Sequence, residues 1–184
     1  MDIRFENVSK AYERPVFENR TLRFSDGKIT ALLGESGRGK TTALRLIAGL
    51  ERPDAGTVQV RGKVAYLFQE PRLLPAVSVW KNVRLAAKSD EAAQAALKLC
   101  RAEHFADKLP DTLSGGEKQR AALARFFVCG GDILLLDEPF SALDAETKEA
   151  VIQNLLPYFR KKTTVLVTHS QAEAARLADE TIRL

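Results

Sequence analysis

A glycine-rich segment that contains one lysine and one threonine is the first part of the sequence able to do chemistry. The segment reads Gly34-Glu-Ser-Gly-Arg-Gly-Lys-Thr41 and fits the pattern G-x-x-x-x-G-K-S/T. It follows an apolar run and precedes a helical pattern, which is the context that gives this motif its meaning. Its glycines let the backbone turn tightly, so that successive N–H groups point at phosphate oxygens. The segment therefore predicts a site for the phosphates of a nucleotide.

Each part of this loop has an expected task at a nucleoside triphosphate. The ammonium group of Lys40 should reach the β- and γ-phosphates, and the hydroxyl of Thr41 should coordinate Mg²⁺. The helix that begins near Lys40 adds the positive end of its dipole. We therefore expect ATP and Mg²⁺ as ligands, bound by consecutive residues: Gly34, Glu35, Ser36, Gly37, Arg38, Gly39, Lys40, Thr41 and Thr42.

Two later apolar runs end in side chains that suit ATP hydrolysis. Asp137 and Glu138 follow Ile133–Leu136, and His169 follows Val165–Thr168. We expect Asp137 to hold Mg²⁺ through water and Glu138 to act as the general base on the attacking water. His169 should contact the γ-phosphate or that water. The alternatives are an acidic pair that caps a strand and a histidine with only a structural role.

A second candidate phosphate site is a helix start without a lysine. Ser114 and Glu117 have the spacing of a capping box, so a helix should begin here. Gly115 and Gly116 are costly in a first helical turn unless another group must approach the backbone closely. The exposed N–H groups of such a turn can bind an anion. The alternative is that the segment Leu113–Glu117 is only a helix cap.

Composition limits the class of protein without naming it. The chain has 184 residues, of which 45% are hydrophobic and 28% charged, values typical of one globular domain. Its net charge of +4 is too small to predict a nucleic-acid partner. We expect a soluble cytoplasmic chain, because no apolar run approaches about eighteen residues and the first residues lack a signal-peptide core. Cys100 and Cys129 are expected to be free, partly buried thiols.

Runs of apolar and alternating residues indicate the elements that must position these side chains. Continuous apolar runs, typical of parallel strands covered on both faces, are Ile29–Leu33, Val64–Phe68, Ile133–Leu136 and Val165–Thr168. Alternating runs, which predict antiparallel strands, are Ile3–Glu6, Thr21–Phe24 and Thr57–Val60, with turns at Asp26-Gly27 and Gly56. Helical patterns cover Thr41–Leu50, Gln171–Ala178 and Asp90–Arg101, where Ala93, Leu97 and Cys100 share one stripe. Pro157 should interrupt the helix after Asp144.

Taken in order, these motifs resemble the nucleotide-binding subunit of ABC transporters. The matching motifs are Walker A at Gly34–Thr41, a Q-loop at Gln69, the signature at Leu113–Glu117, Walker B at Ile133–Glu138, a D-loop at Ser141–Asp144 and a switch histidine at His169. The resemblance implies an α/β fold, a P-loop NTPase core with a mostly parallel sheet, an N-terminal antiparallel β-subdomain and an inserted helical subdomain. Residues 1–76 and 128–184 would form the core with the β-subdomain, and residues 77–127 the helical subdomain. No regulatory C-terminal domain is expected after Leu184.

The resemblance also implies partners and further site residues. Tyr12 would stack on adenine, and Gln69 would touch Mg²⁺ or the catalytic water. Two copies would form a head-to-tail dimer in which Ser114, Gly115 and Gly116 of one copy complete the ATP site of the other. The subunit would lie on the inner face of the membrane, with integral membrane permease subunits and an extracytoplasmic solute-binding protein. A groove near Leu73, Leu74, Val79 and Trp80 would receive a permease helix, unless these residues are ordinary core.

The segment from Gln69 to Pro75, together with Asn82-Val83, most resembles importers of the nitrate, sulfonate and taurine group, or of thiamine-type precursors. Two other functions stay open. A soluble ABC-type ATPase of DNA repair, translation or cluster assembly would lack a membrane partner, but its usual coiled coil, zinc insertion or second cassette is not seen. A small-molecule P-loop kinase leaves the Leu113–Glu117 motif unexplained.

Overall fold

A computed structural model describes residues 3–184. The chain divides into two compact units. The first unit contains the residues up to Tyr66, Gly131–Glu138 and Phe159–Leu184, and the second contains Leu67–Gly130 and Pro139–Tyr158. The strands are β1 Ile3–Ala11, β2 Pro15–Phe24, β3 Ile29–Leu33, β4 Ala55–Val60, β5 Val64–Leu67, β6 Ile133–Asp137, β7 Thr163–Val167 and β8 Glu180–Arg183. The α-helices are α1 Lys40–Ile47, α2 Val79–Arg84, α3 Asp90–Leu99, α4 Gly115–Cys129, α5 Ala145–Phe159 and α6 Gln171–Leu177.

A five-stranded sheet forms the centre of the first unit, in the order β5-β6-β7-β3-β8. Every residue of β3, β6 and β7 is buried, as their continuous apolar runs predict. These strands pair in parallel, and Asp137 lies beside Val167, so the carboxyl ends of β6 and β7 are neighbours. The sheet therefore brings the ends of three predicted strands to one edge. The predicted α/β fold class is confirmed.

The N-terminal strands form a separate antiparallel sheet in the order β2-β1-β4. Asp26-Gly27 is a turn, as predicted. The turn predicted at Gly56 is wrong, because Gly56 lies inside β4. There the register between β1 and β4 shifts, and a Cβ on Gly56 would collide with the carbonyl group of Asn7. The glycine therefore marks a bulge with a close backbone approach, at a φ of 80°.

Helices dominate the second unit. The stripe of Ala93, Leu97 and Cys100 is fully or almost fully buried, as predicted. The interruption predicted at Pro157 is wrong, because α5 continues through it to Phe159. Pro157 is exposed and so is Gln153, the residue whose carbonyl loses its helical partner, so water can satisfy that group. Within residues 3–184, no helix combines the length and apolarity that a membrane crossing needs.

Two smaller features differ from the sequence-based expectations. Strand β8 was not predicted, because its four residues give too short a pattern of polar and apolar residues. In the structure they alternate between half-buried and exposed. The strand pairs in parallel with β3 and forms the edge of the sheet. Cys100 is buried, which raises the pKa of its thiol, but the partial burial predicted for Cys129 is wrong because its side chain is exposed.

Candidate functional site

The glycine-rich loop joins the end of β3 to the start of α1. Gly39 has a φ of 88°, and a Cβ there would press into Val16 and Phe17, so this position accepts only glycine without rearrangement. The loop folds back over the side chain of Lys40, which is 6% exposed. Its Nζ donates to the carbonyl oxygens of Gly34 at 2.9 Å and Glu35 at 2.7 Å. These bonds close the loop around the lysine.

The charge of Lys40 faces two carboxylates of the first unit. Burial lowers the pKa of Lys40, and the negative charges of Glu138 and Asp137 partly oppose that shift. The lysine, the end of β6 and the glycine-rich loop therefore meet at the same place. This arrangement joins the two sequence motifs that were predicted separately.

Asp137 is the most buried acid of the site, with 2% of its surface exposed. Its Oδ2 accepts a hydrogen bond of 3.2 Å from the hydroxyl of Tyr66. Burial raises the pKa of Asp137, and hydrogen bonds with Thr41 and Tyr66 act in the opposite direction. Within residues 3–184, its Oδ1 is buried and has no hydrogen-bond partner. Such an oxygen is rare in a native protein and points to a missing donor or cation.

Glu138 follows β6 in a backbone conformation that few non-glycine residues adopt, with a φ of 48°. Its amide donates to the carbonyl of Val167 at 3.0 Å, so the neighbouring strand fixes this turn. The carboxylate oxygen Oε1 lies 2.7 Å from Nε2 of His169. The structure thus places His169 against Glu138, whereas the contacts expected from the sequence were with the γ-phosphate or the attacking water. The Glu138 side chain is 16% exposed, whereas that of His169 is 49% exposed.

Tyr12 lies at the end of the antiparallel sheet and is 53% exposed. Its hydroxyl donates to the carboxylate of Glu51, which also pairs with Arg45 at 3.2 Å. The pKa of Tyr12 is raised, first by burial and then by the bond to Glu51, against the opposite effect of a hydrogen bond with Thr42. That bond places the tyrosine beside the glycine-rich loop. The ring is partly exposed there, and the Lys10 ammonium lies 5.5 Å from its centroid.

The second candidate phosphate site, the helix start at Ser114 without a lysine, lies in the other unit. The capping box predicted at Ser114 is present: Glu117 N donates to Ser114 Oγ at 3.2 Å, and Ser114 N donates to Glu117 Oε2 at 2.8 Å. The bond from the Ser114 amide is the first cause of the lowered pKa of Glu117. Gly115 is exposed, with open space where a Cβ would be. Its backbone is therefore accessible to a large ligand.

Gln69 also belongs to the second unit, in an exposed position just after β5. The segment that follows it is fixed by Asn82, which is 1% exposed. The Asn82 side chain accepts from Leu74 N at 2.8 Å and donates to Leu74 O at 3.0 Å. The Arg125 guanidinium donates to Asn82 Oδ1 at 3.3 Å. Sequence analysis missed this role of Asn82, although a polar residue between the apolar Val79 and Val83 signals a buried hydrogen bond.

The residues of the predicted groove differ from one another in exposure. Val79 is fully buried and is therefore core, whereas Leu74 is 48% exposed. Leu73 and Trp80 are half-buried. Trp80 also lines a cavity of about 300 Å³ with Gln94, Leu97, Glu103, Ala106 and Asp107.

Comparisons with known proteins agree on one family. The model of the ABC transporter family matches residues 17–141. The aliphatic sulfonates import ATP-binding protein SsuB 2 of Pseudomonas syringae pv. syringae is 45% identical over 99% of this chain and 69% of its own length. The corresponding protein SsuB 1 of Paracoccus denitrificans is 45% identical over 96% of this chain and 76% of its own length. The predicted likeness to the nitrate, sulfonate and taurine group is thereby confirmed.

Solved structures give the same answer. The dimeric structure of MJ0796, a bacterial ABC transporter cassette, superposes with a TM-score of 0.90 at 31% identity and covers 99% of this chain and 94% of that one. A post-hydrolysis state of the same cassette, bound to ADP and Pi, gives a TM-score of 0.89 at 29% identity and the same coverage. The chain therefore belongs to the ABC transporter family, as an ATP-binding cassette that hydrolyses ATP.

Proposed function

We propose that this cassette energises the import of aliphatic sulfonates across a membrane. The observation that carries its ATPase role is the grouping of Lys40, Asp137, Glu138 and His169 at one edge of the sheet. The solute is supported by the relatives, which are sulfonate import proteins at 45% identity over almost the whole of this chain. An anionic solute also matches the group indicated by the Gln69–Pro75 segment.

The proposed nucleotide site uses the loop residues Gly34, Glu35, Ser36, Gly37, Arg38, Gly39, Lys40, Thr41 and Thr42. Their N–H groups and the Lys40 ammonium bind the phosphates, and Tyr12 stacks on the adenine. Mg²⁺ suits the oxygen donors at this site, because Asp137 Oδ1 is buried without a partner in the described chain and the Thr41 hydroxyl lies beside the same carboxyl. When bound, the ion would neutralise charge on the phosphates.

Hydrolysis itself is assigned to Glu138 and His169. Glu138 accepts a proton from the attacking water, and the fixed turn at its backbone holds the carboxylate in place. His169, 2.7 Å from that carboxylate, orients it and reaches toward the γ-phosphate. Gln69 is assigned, from the family resemblance, to contact with the metal or the water. These roles follow the family pattern, and the contact between Glu138 and His169 supports their pairing.

The site is completed by a second copy in a head-to-tail dimer. Ser114, Gly115 and Gly116 of one copy would face the γ-phosphate held by the other, which explains a phosphate-binding helix start without a lysine. The open space at Gly115 leaves room for this approach. The cassette of known structure with a TM-score of 0.90 is itself dimeric. ATP binding would thus bring the two copies together.

The membrane partners are integral permease subunits, with an extracytoplasmic protein that delivers the solute. The cassette would lie at the inner face of the membrane, where exposed Leu74 and half-buried Leu73 and Trp80 offer apolar area to a permease helix. The functional division would place the core and β-subdomain in residues 1–76 and 128–184, and the helical subdomain in residues 77–127.

The Glu138→Gln variant tests the catalytic part of this proposal. It should bind ATP, form a stable dimer and lose turnover by about two to four orders of magnitude, because the general base is gone. Turnover at the parental rate would show that Glu138 is not the base. The solute is tested with the complex purified from detergent-solubilised membranes: ethanesulfonate with the binding protein should stimulate its ATPase rate, and nitrate should not. A chain that purifies with no membrane protein would contradict the transport role.

A further inference from the structure

We propose that Gln119 is a positioning residue that fixes the Pro139–Asp144 loop on helix α4. Gln119 lies one turn inside α4 and is 2% exposed. Its Nε2 donates to the carbonyl oxygen of Pro139 at 3.0 Å, across 20 residues of sequence. A buried side-chain amide without a hydrogen bond destabilises the folded state. The bond from Gln119 to Pro139 is therefore expected to be maintained in the folded protein. Pro139 is the residue that directly follows Glu138.

A second contact joins the same helix to the same loop. A Cβ on Gly116 would lie 3.0 Å from the carbonyl oxygen of Ala142 and 3.7 Å from Leu143 Cδ2. A Cβ at this distance would be tighter than normal contact, so the carbonyl would have to shift by a few tenths of an ångström. Gly115, the preceding residue, has no neighbour within 4 Å of such an atom. The two glycines therefore differ: Gly115 leaves room for an outside group, and Gly116 leaves room for the chain's own loop.

The loop itself is short and well anchored. Phe140 is 1% exposed and Leu143 is 8% exposed, so two buried apolar side chains anchor the loop. The Leu143 amide donates to the Phe140 carbonyl at 3.2 Å, which closes a turn between them. Gln119 and Gly116 fix the backbone at Pro139 and Ala142, on either side of Phe140 and Ser141. The start of α4 and this loop thus form one rigid body.

This inference rests on the proposed dimer, because the connection between α4 and the loop has a function only if α4 faces a partner's nucleotide. The start of α4 is the part of the cassette that would face the partner's nucleotide, and the loop begins one residue after the proposed base. A rigid connection between them would make the position of the loop depend on what α4 contacts. Gln119 would then control turnover without touching ATP, and its loss would lower kcat while the KM for ATP stays the same.

The test is the Gln119→Met variant, which keeps the side-chain length and removes the N–H donor. Turnover of the purified cassette should fall about ten- to a hundredfold, the effect of a small misplacement, with the KM for ATP within about twofold of the parental value. Hydrogen exchange of the Leu143 amide should become faster. Gln153→Met is the matched control, because Gln153 is exposed on α5 and, within residues 3–184, its side chain bonds only to Glu149 at 2.7 Å, one turn earlier on the same helix. It should leave kcat and exchange unchanged.

A second variant distinguishes positioning from a loss of stability. In Gln119→Glu the protonated side chain can donate to Pro139 and the carboxylate cannot, and burial raises the pKa of such an acid. Its turnover relative to the parent should therefore recover as the pH is lowered from 8 to 6. The proposal is overturned if Gln119→Met has the parental kcat and exchange. A chain that purifies from detergent-solubilised membranes with no permease partner would contradict the transport role and leave this comparison intact.

Discussion

The two glycines at the start of α4 should respond in opposite ways to the same substitution. Replacement of a helical glycine by alanine stabilises a protein by about 0.5–1 kcal/mol, because glycine loses more backbone freedom on folding. Gly115→Ala should show this gain, since the added Cβ meets open space. In Gly116→Ala the Cβ would lie 3.0 Å from the Ala142 carbonyl oxygen, which is tighter than normal contact. Overpacking of this kind costs about 1–3 kcal/mol.

The difference between the two variants is therefore about 2 kcal/mol in the free energy of unfolding, the middle of that range. For a chain of this length, each kcal/mol shifts Tm by roughly 2–4 °C. We expect Gly116→Ala to melt roughly 4–8 °C below Gly115→Ala in nucleotide-free protein. Both variants have the same chemical change at adjacent positions, so each is the control of the other.

Differential scanning calorimetry without nucleotide is the appropriate assay, since turnover would not separate the two residues. In the proposed dimer both glycines approach the partner's phosphate, and both substitutions should reduce ATP hydrolysis. Equal melting temperatures, or a higher one for Gly116→Ala, would refute the close approach between α4 and Ala142. Such a result would also remove one of the two contacts that support the rigid body of α4 and the loop.

Three further outcomes follow from the site and from the segment after Gln69. Asp137→Asn should stabilise the nucleotide-free protein at pH 7, because burial raises the pKa of Asp137 and makes its charge unfavourable. The charged carboxylate destabilises the folded protein fully above the raised pKa of Asp137 and not at all below the pKa of the same group in the unfolded chain. The Tm difference between the variant and the parent should therefore shrink as the pH is lowered toward 4. Asn82→Leu should cost about 2–4 kcal/mol by leaving buried backbone groups unpaired, whereas Gln153→Leu, at an exposed site, should change stability by less than about 0.5 kcal/mol in urea unfolding. His169→Ala should lower kcat about a hundredfold while equilibrium binding of a fluorescent ATP analogue is retained.

The sequence predicts the chemistry of this protein better than the way the chemistry is held. The glycine-rich loop, the Asp137-Glu138 pair and the capping box at Ser114 are each contiguous, so residue type and spacing are enough to interpret them. The buried strands are predicted as well, because their continuous apolar runs exceed what an exposed segment tolerates. The predicted bounds of β3 match the structure, and those of β5 and β6 differ by one residue.

What the sequence does not predict depends on a partner elsewhere in the chain. Strand β8 is short and half exposed, and it is a strand only because β3 offers an open edge. Gly56 looks like a turn residue, yet it is required by the carbonyl of Asn7, which is distant in sequence. Pro157 looks like a helix end, but its position on the exposed side of α5 lets the helix continue. For β8 and Gly56 local preference was overruled by a contact that no window of sequence contains, and for Pro157 by exposure to water.

The proposed general base shows why these distant contacts matter for function. Glu138 is identified by its position after an apolar strand, but its carboxylate is placed by a backbone turn with a φ of 48°, which is unfavourable for this residue. Val167 fixes the amide of Glu138 on one side, and Gln119 fixes the carbonyl of the next residue, Pro139, on the other. A strained turn persists only where its surroundings determine it, and these two bonds hold the backbone on either side of a carboxylate whose Oε1 lies 2.7 Å from Nε2 of His169. The residue types of the motif are enough to identify it, whereas the geometry of its backbone depends on residues outside it.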